Sequence, residues 1–198
     1  MEAAARLLAE EGPNALSTRR LAAAVGTSTM AVYTRFGGMD DLVRSMVNEG
    51  FRRLNERMIS VEQTEDPVAD LAALGIAYRL NALENQHMYS VMFGGSNLGG
   101  FALTEEDRQR GRYVLAPVVA AVTRAMAAGR FAQADAQLIA NQMWIAVHGL
   151  VTLEIGEYLI EPYDAETVFI GMVSGLLVGA GDDISTALGS MLSARERF

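Results

Sequence analysis

Apolar residues along this chain recur at intervals of three and four, the spacing of one face of an α-helix, and the alternation that a half-buried strand needs is scarce. Glycine, proline and hydroxyl-bearing cap residues cut the pattern into bounded segments. The first predicted helix covers residues 2–11, buries Ala4, Leu7 and Leu8, and stops at Gly12-Pro13, because proline disfavours helix in the residue before it. Ser17 is an N-cap for a second helix to about Val25, which Gly26 breaks. A third starts near Thr27 or Ser28 and reaches Phe36, where Gly37-Gly38 ends it.

A long fourth helix runs from Met39 or Asp40 to about Ile59, with Asp40 and Asp41 where the helix dipole favours anions. Asp66-Pro67 opens a fifth to about Leu83, and residues 86–93 form a short sixth before a glycine-rich loop at 94–100. Thr104 to Asp107 approximates a capping box, starting a helix that is expected to kink at Pro117 and end near Gly129. Two long apolar helices, at about 134–160 and 165–179, and a weaker amphipathic tail close the chain. The fold class is therefore all-α.

Charge changes this picture more than composition does. The formal net charge is −8, unfavourable for nucleic acid as a whole, but residues 1–58 hold 8 Arg and 7 acidic residues while residues 59–198 hold 8 Arg and 17 acidic residues. Within 17–36 there are Arg19, Arg20 and Arg35 and no acid, and the chain has no lysine, so every cationic contact falls to arginine. With no cysteine, disulfides, thiolate nucleophiles and cysteine-zinc sites are excluded. Glu2, Glu10 and Glu11 are wrong for a secretory leader, and the apolar run 168–180 falls short of the ~20 residues that span a bilayer, so a cytoplasmic location without membrane partners is expected. His87 and His148 lack the paired spacing of a zinc motif, so neither a metal nor a cofactor is expected.

Residues 17–36 pack a short helix, a glycine-containing turn and a second short helix into one stretch, the layout of a helix-turn-helix. The second helix offers small or hydrogen-bonding side chains at Thr29, Met30, Ala31 and Thr34, which allow close approach to base edges in the major groove. Val32 and Phe36 remain for the core, and Ser17, Thr18 and Arg19 at the start of the first helix can donate to a phosphate. Leu21-Ala22, Gly26-x-Ser28, Val32-Tyr33 and Phe36 resemble the signature of the TetR family of transcriptional regulators. The resemblance implies that Tyr33 reaches a backbone phosphate and that Thr29, Met30, Ala31 and Thr34 stand at the recognition positions. Met39 replaces the lysine usual at the start of the fourth helix, and Thr27 the apolar residue usual after the turn glycine.

Residues 144–149, with Trp144, His148 and Gly149, are similar to the Trp-His-Gly (WHG) element of one TetR C-terminal subfamily, and residues 78–95 resemble the same subfamily. Trp144 and His148 lie four apart and share a helix face, with Asn141 on an adjoining turn. Together with Tyr89, Met92, Phe93 and Tyr113 they suggest a mostly apolar ligand pocket with a few orienting polar groups, although ordinary core packing explains Trp144 and His148 equally well.

The resemblance implies a three-helix DNA-binding domain at 1–46, joined by the long helix to a larger effector-binding and dimerisation domain at 47–198. It also implies a repressor released from double-stranded operator DNA by a small, largely apolar effector. A two-fold homodimer would read a roughly palindromic operator. Gly171, Gly175 and Gly179 recur every four residues beside Met172, Val173, Leu176 and Leu177, and mark a face for pairing. Two alternatives stay open: a DNA-binding dimer without an effector, and an enzyme with a helical apolar pocket, for which the sequence shows no nucleophile or metal constellation.

Overall fold

The computed structural model describes residues 1–94 and 104–198 and is all-α. Its contacts divide the chain into two compact units, one of Met1–Leu54 with Asn85–Tyr113 and one of Asn55–Glu84 with Val114–Phe198.

In the first unit, α1 (Glu2–Glu11) buries Ala4, Ala5, Leu7 and Leu8, and ends at Gly12, whose φ of +79° suits glycine. A 3-10 turn at Pro13–Ala15 leads to α2 (Thr18–Val25), and α3 (Thr29–Phe36) follows. Next comes α4 (Met39–Ile59), whose Leu42, Val43, Met46 and Val47 are buried. After a helix that belongs to the second unit come α6 (Gln86–Phe93) and α7 (Glu105–Arg112). α6 packs on α1, and it crosses α4 at Gly50, where a β-carbon would stand 2.4 Å from Met92 Sδ. α7 approaches α4 at Gly111, which lies over the Phe51 ring, and Arg44 of α4 reaches Asp107 of α7 at 3.5 Å.

The second unit is built around α5 (Pro67–Glu84), which is buried on nearly every side, as expected of a helix apolar all round. α8 (Ala116–Ala127), α9 (Ala136–Ile155) and α11 (Ile184–Arg195) pack against it, and α10 (Ala165–Gly179) packs on α9 and α11. Two carboxylate networks lock the connections. Asp70 accepts from the Thr64 backbone and hydroxyl, from Arg124 at 2.7 Å and from Arg197 at 3.1 Å. Arg130 holds Asp182 through two 2.7 Å bonds and also reaches Asp66, which accepts from Ser190. Desolvation by burial raises the Asp66 and Asp70 carboxyls, but their several hydrogen bonds and arginine partners outweigh it and hold both below the usual carboxylate range.

The expected kinked helix from Thr104 to Gly129 is replaced by α7, a 3-10 turn at Tyr113–Leu115, and α8 with Pro117 in its first turn. Proline lacks an N–H and its ring crowds the carbonyl four residues back, so a restart that puts it in a first turn removes the conflict. The capping box itself forms, with Thr104 and Asp107 each accepting from the other's backbone N–H. The first long apolar helix is shorter than the predicted 134–160: Asp135 caps α9 by accepting from the Gln137 and Leu138 N–H groups, and the helix stops at Gly156. The weak tail becomes a capped helix, α11, with Asp183 accepting from the Ser185 and Thr186 N–H groups. Apart from Gly94, the glycine-rich loop lies outside the described residues. By length and composition α9 could cross a membrane, yet one of its faces, with Ile139, Met143, Val147 and Leu150, is packed into this helical unit.

Candidate functional site

The turn between α2 and α3 is set by local chemistry. The Ser17 hydroxyl accepts from the Arg20 N–H at 3.3 Å and caps α2, while the Ser28 hydroxyl accepts from the Ala31 N–H at 3.1 Å and caps α3. Between the two caps, Gly26 adopts the left-handed conformation, φ 68° and ψ 37°, and its N–H turns back to the carbonyls of Ala22 and Ala23. Leu21, Ala22 and Val32 are buried and fix the two helices against each other; Phe36 is only half-buried, with Arg35 stacked over its ring at 5.6 Å.

The opposite side of α3 faces outward. Thr29, Ala31 and Thr34 are exposed, and Met30 and Tyr33 are 70% and 63% exposed. On α2, Arg19 is exposed and Ser17 and Thr18 are half-buried at its start. Arg20 is committed to Glu11 through bonds of 2.8 and 2.9 Å. All eight positions expected at a DNA interface thus belong to α2, α3 and the cap between the 3-10 turn and α2.

Residues 1–46 match the bacterial regulatory proteins of the tetR family, and residues 71–176, more than half of the chain, match the tetracyclin repressor-like C-terminal domain. The chain belongs to the TetR family. It is a transcriptional regulator with a helix-turn-helix DNA-binding domain and a helical C-terminal part. An uncharacterised HTH-type transcriptional regulator of Mycobacterium tuberculosis is 29% identical over 182 residues, 90% of this chain and 78% of that protein. A protein of unknown function from Rhodococcus is 27% identical with a TM-score of 0.75, covering 91% of this chain and 92% of the other. The transcriptional regulator FadR of Bacillus subtilis, solved in complex with stearoyl-CoA, shares the fold at 18% identity, with a TM-score of 0.72 and coverage of 90% and 96%.

The residues expected to sense an effector in this TetR-family regulator fall into both units. In the first, Tyr89 and Phe93 pack ring to ring at 4.9 Å, Phe93 meets Phe51 edge-on at 5.8 Å, and Met92 lies against Gly50. Phe51 escaped the sequence reading because it reads there as one more apolar position of α4. Tyr113 is exposed in the 3-10 turn.

In the second unit, Trp144 and His148 lie one turn apart on α9 with ring centroids 6.0 Å apart, and both bond to Tyr78 of α5. Trp144 Nε1–H donates to the Tyr78 oxygen at 3.2 Å, so the Tyr78 hydroxyl hydrogen is available to His148 Nδ1, also at 3.2 Å. A neutral His148 accepts that hydrogen at Nδ1 as the Nε2–H tautomer, and donates to the same oxygen as the Nδ1–H tautomer. Burial supports the neutral form by holding the imidazole below its ordinary value. Asn141 is half-buried and donates to the Gln137 carbonyl one turn back. Tyr78, 5% exposed, is the polar centre that sequence reasoning missed; its only signal was its place in the stretch 78–95. Arg79 beside it is held by Glu154 and Glu166. Among the described residues no three metal-ligating side chains come together.

Proposed function

We propose that this regulator is a homodimeric repressor whose domain at 1–46 reads a roughly palindromic operator, and whose part at 47–198 pairs the protomers and releases the DNA when a small, largely apolar effector binds. It would act in the cytoplasm, where the operator lies. The observation that carries the reading is the outward face of α3, where Thr29, Met30, Ala31, Tyr33 and Thr34 are all exposed on a helix pinned by a serine cap and by buried Val32. Such a helix presents side chains rather than backbone to a groove. Ser17, Thr18, Arg19 and Tyr33 take the phosphates.

The effector-binding side is read from Tyr78, Trp144 and His148, a polar knot within an otherwise apolar helical unit, of the kind that orients a ligand. The same Trp-His-Gly arrangement supports placing the C-terminal half with the WHG subset of the family. Tyr89, Met92 and Phe93 supply apolar surface in the other unit. Stearoyl-CoA, bound by the Bacillus relative, names acyl thioesters as the first class to try.

The test is selection of bound duplexes from a random pool by the full chain, followed by a screen of apolar acids and acyl thioesters for release. An enriched sequence with inverted half-sites, released by a compound that also raises the melting temperature in proportion to its concentration, is expected. No enrichment would overturn the reading as a DNA-binding regulator. Enrichment without any releasing compound, in a protein whose Tyr78→Phe and His148→Ala variants bind DNA as before, would overturn the effector half alone.

A further inference from the structure

The outward face of α3 is chemically unusual for a helix that must discriminate bases. From Thr27 to Thr34 there is no Arg, Lys, Asn, Gln, His, Asp or Glu, so the bidentate pairs that single out guanine or adenine cannot be made there. The nearest cation, Arg35, is stacked over Phe36 at 5.6 Å in the last turn, and Arg20 of α2 is tied to Glu11. What remains is a set of hydroxyls, Thr29, Tyr33 and Thr34, that accept or donate a single bond and tolerate several bases, plus two apolar groups, Met30 and Ala31.

Met30 is the one that reaches. It is 70% exposed, and with Thr34, four residues on, it occupies the side of α3 opposite buried Val32, where a groove floor would lie. Its unbranched, polarisable side chain adapts to a methyl-sized partner. The one apolar feature that a base pair shows in the major groove is the C5-methyl of a pyrimidine.

We propose that Met30 reads the C5-methyl group of one pyrimidine in each operator half-site, so that sequence discrimination by this regulator rests on a methyl contact. Thymine supplies the methyl in unmodified DNA, and 5-methylcytosine carries the same group. The inference rests on the reading of α3 as the base-contacting helix.

The experiment uses the full chain and the duplex enriched from a random pool. Each thymine is replaced in turn by deoxyuridine, which removes the methyl and leaves every hydrogen-bonding group in place, and in separate duplexes each cytosine is replaced by 5-methylcytosine. Wild-type and Met30→Ala proteins are titrated against all of them. One deoxyuridine position per half-site is expected to weaken wild-type binding about fourfold, the value of one buried methyl-sized group, while Met30→Ala binds the thymine and deoxyuridine duplexes alike. A gain of about fourfold on methylating a cytosine, lost in Met30→Ala, also supports the contact and assigns it to methylated cytosine. If no pyrimidine methyl matters, or if the methyl effect persists in Met30→Ala, the proposal is overturned while the enriched operator leaves the DNA-binding reading standing. If no duplex is enriched, both fall. The wild-type arm needs no variant, so a folding defect in Met30→Ala cannot decide the outcome.

Discussion

The proposed phosphate contacts fall to single side chains, and their exposure separates them from the core. Arg19 and Tyr33 face outward, so Arg19→Ala or Tyr33→Phe is expected to weaken operator binding without lowering the melting temperature. Loss of Arg19 should also reduce the slope of log affinity against log salt by about 1, with sequence preference intact. Titration across salt checks this, and unchanged affinity in both variants would remove these residues from the interface. His148 gives a second test. Burial holds its imidazole below the ordinary 6.5, so the unfolded chain takes up the proton first as the pH falls. Stability linked to His148 is fully present above that value, is lost as pH falls below 6.5, and stops falling once the lowered folded-state value is passed. The urea midpoint should therefore drop more between about pH 7.5 and about pH 5.5 in the wild type than in His148→Gln. Equal drops would show that the buried imidazole is not the cause.

Between elements, α6 comes close to α4 in the first unit, at Gly50. A β-carbon on Gly50 would stand 2.6 Å from Met92 Cγ and 3.1 Å from Met88 Cγ, too close for the Met92 side chain to keep its place. Gly50→Ala is accordingly expected to destabilise by about 1–3 kcal/mol despite the higher helix propensity of alanine. In a Met92→Ala background most of that penalty should vanish, because the crowded atoms are gone. A thermal double-mutant cycle measures the coupling, and additive effects would mean that α6 does not press on Gly50. The same crossing explains a glycine that looks misplaced in the sequence, since a helix interior otherwise disfavours one.

At the scale of the whole molecule, the second unit leaves several large apolar side chains exposed. Leu138, Ile145 and Leu153 lie along one side of α9, Leu188 and Leu192 along α11, and on α10 a β-carbon at Gly171, Gly175 or Gly179 would meet nothing within 4 Å. A second copy of the chain would cover this surface and allow two heads to read two half-sites. Gly175→Leu is an informative break, because the open space around Gly175 lets the protomer fold with the larger side chain while a close helix partner is pushed away. Sedimentation at micromolar concentration should show a wild-type dimer and a folded monomeric variant with greatly weakened operator binding. A wild-type monomer that still binds tightly would refute the dimer.

Most helices, most of their ends and the helix-turn-helix follow from the order of residues alone. Ser17, Gly26 and Ser28 act over three or four residues, and a signal that local is complete before any tertiary contact forms. The break at Tyr113–Leu115 was less legible, since Pro117 can either kink a helix or begin one. Only the tertiary structure brought Tyr78 to Trp144 and His148, 66 and 70 residues away, and Phe51 to Phe93. Helical periodicity says which face of α5 or α9 is apolar, but not which faces meet. That choice is made by the docking of long helices, where the volumes of Gly50 and Gly111 and the pairing of Asp70 and Asp182 with distant arginines select one arrangement.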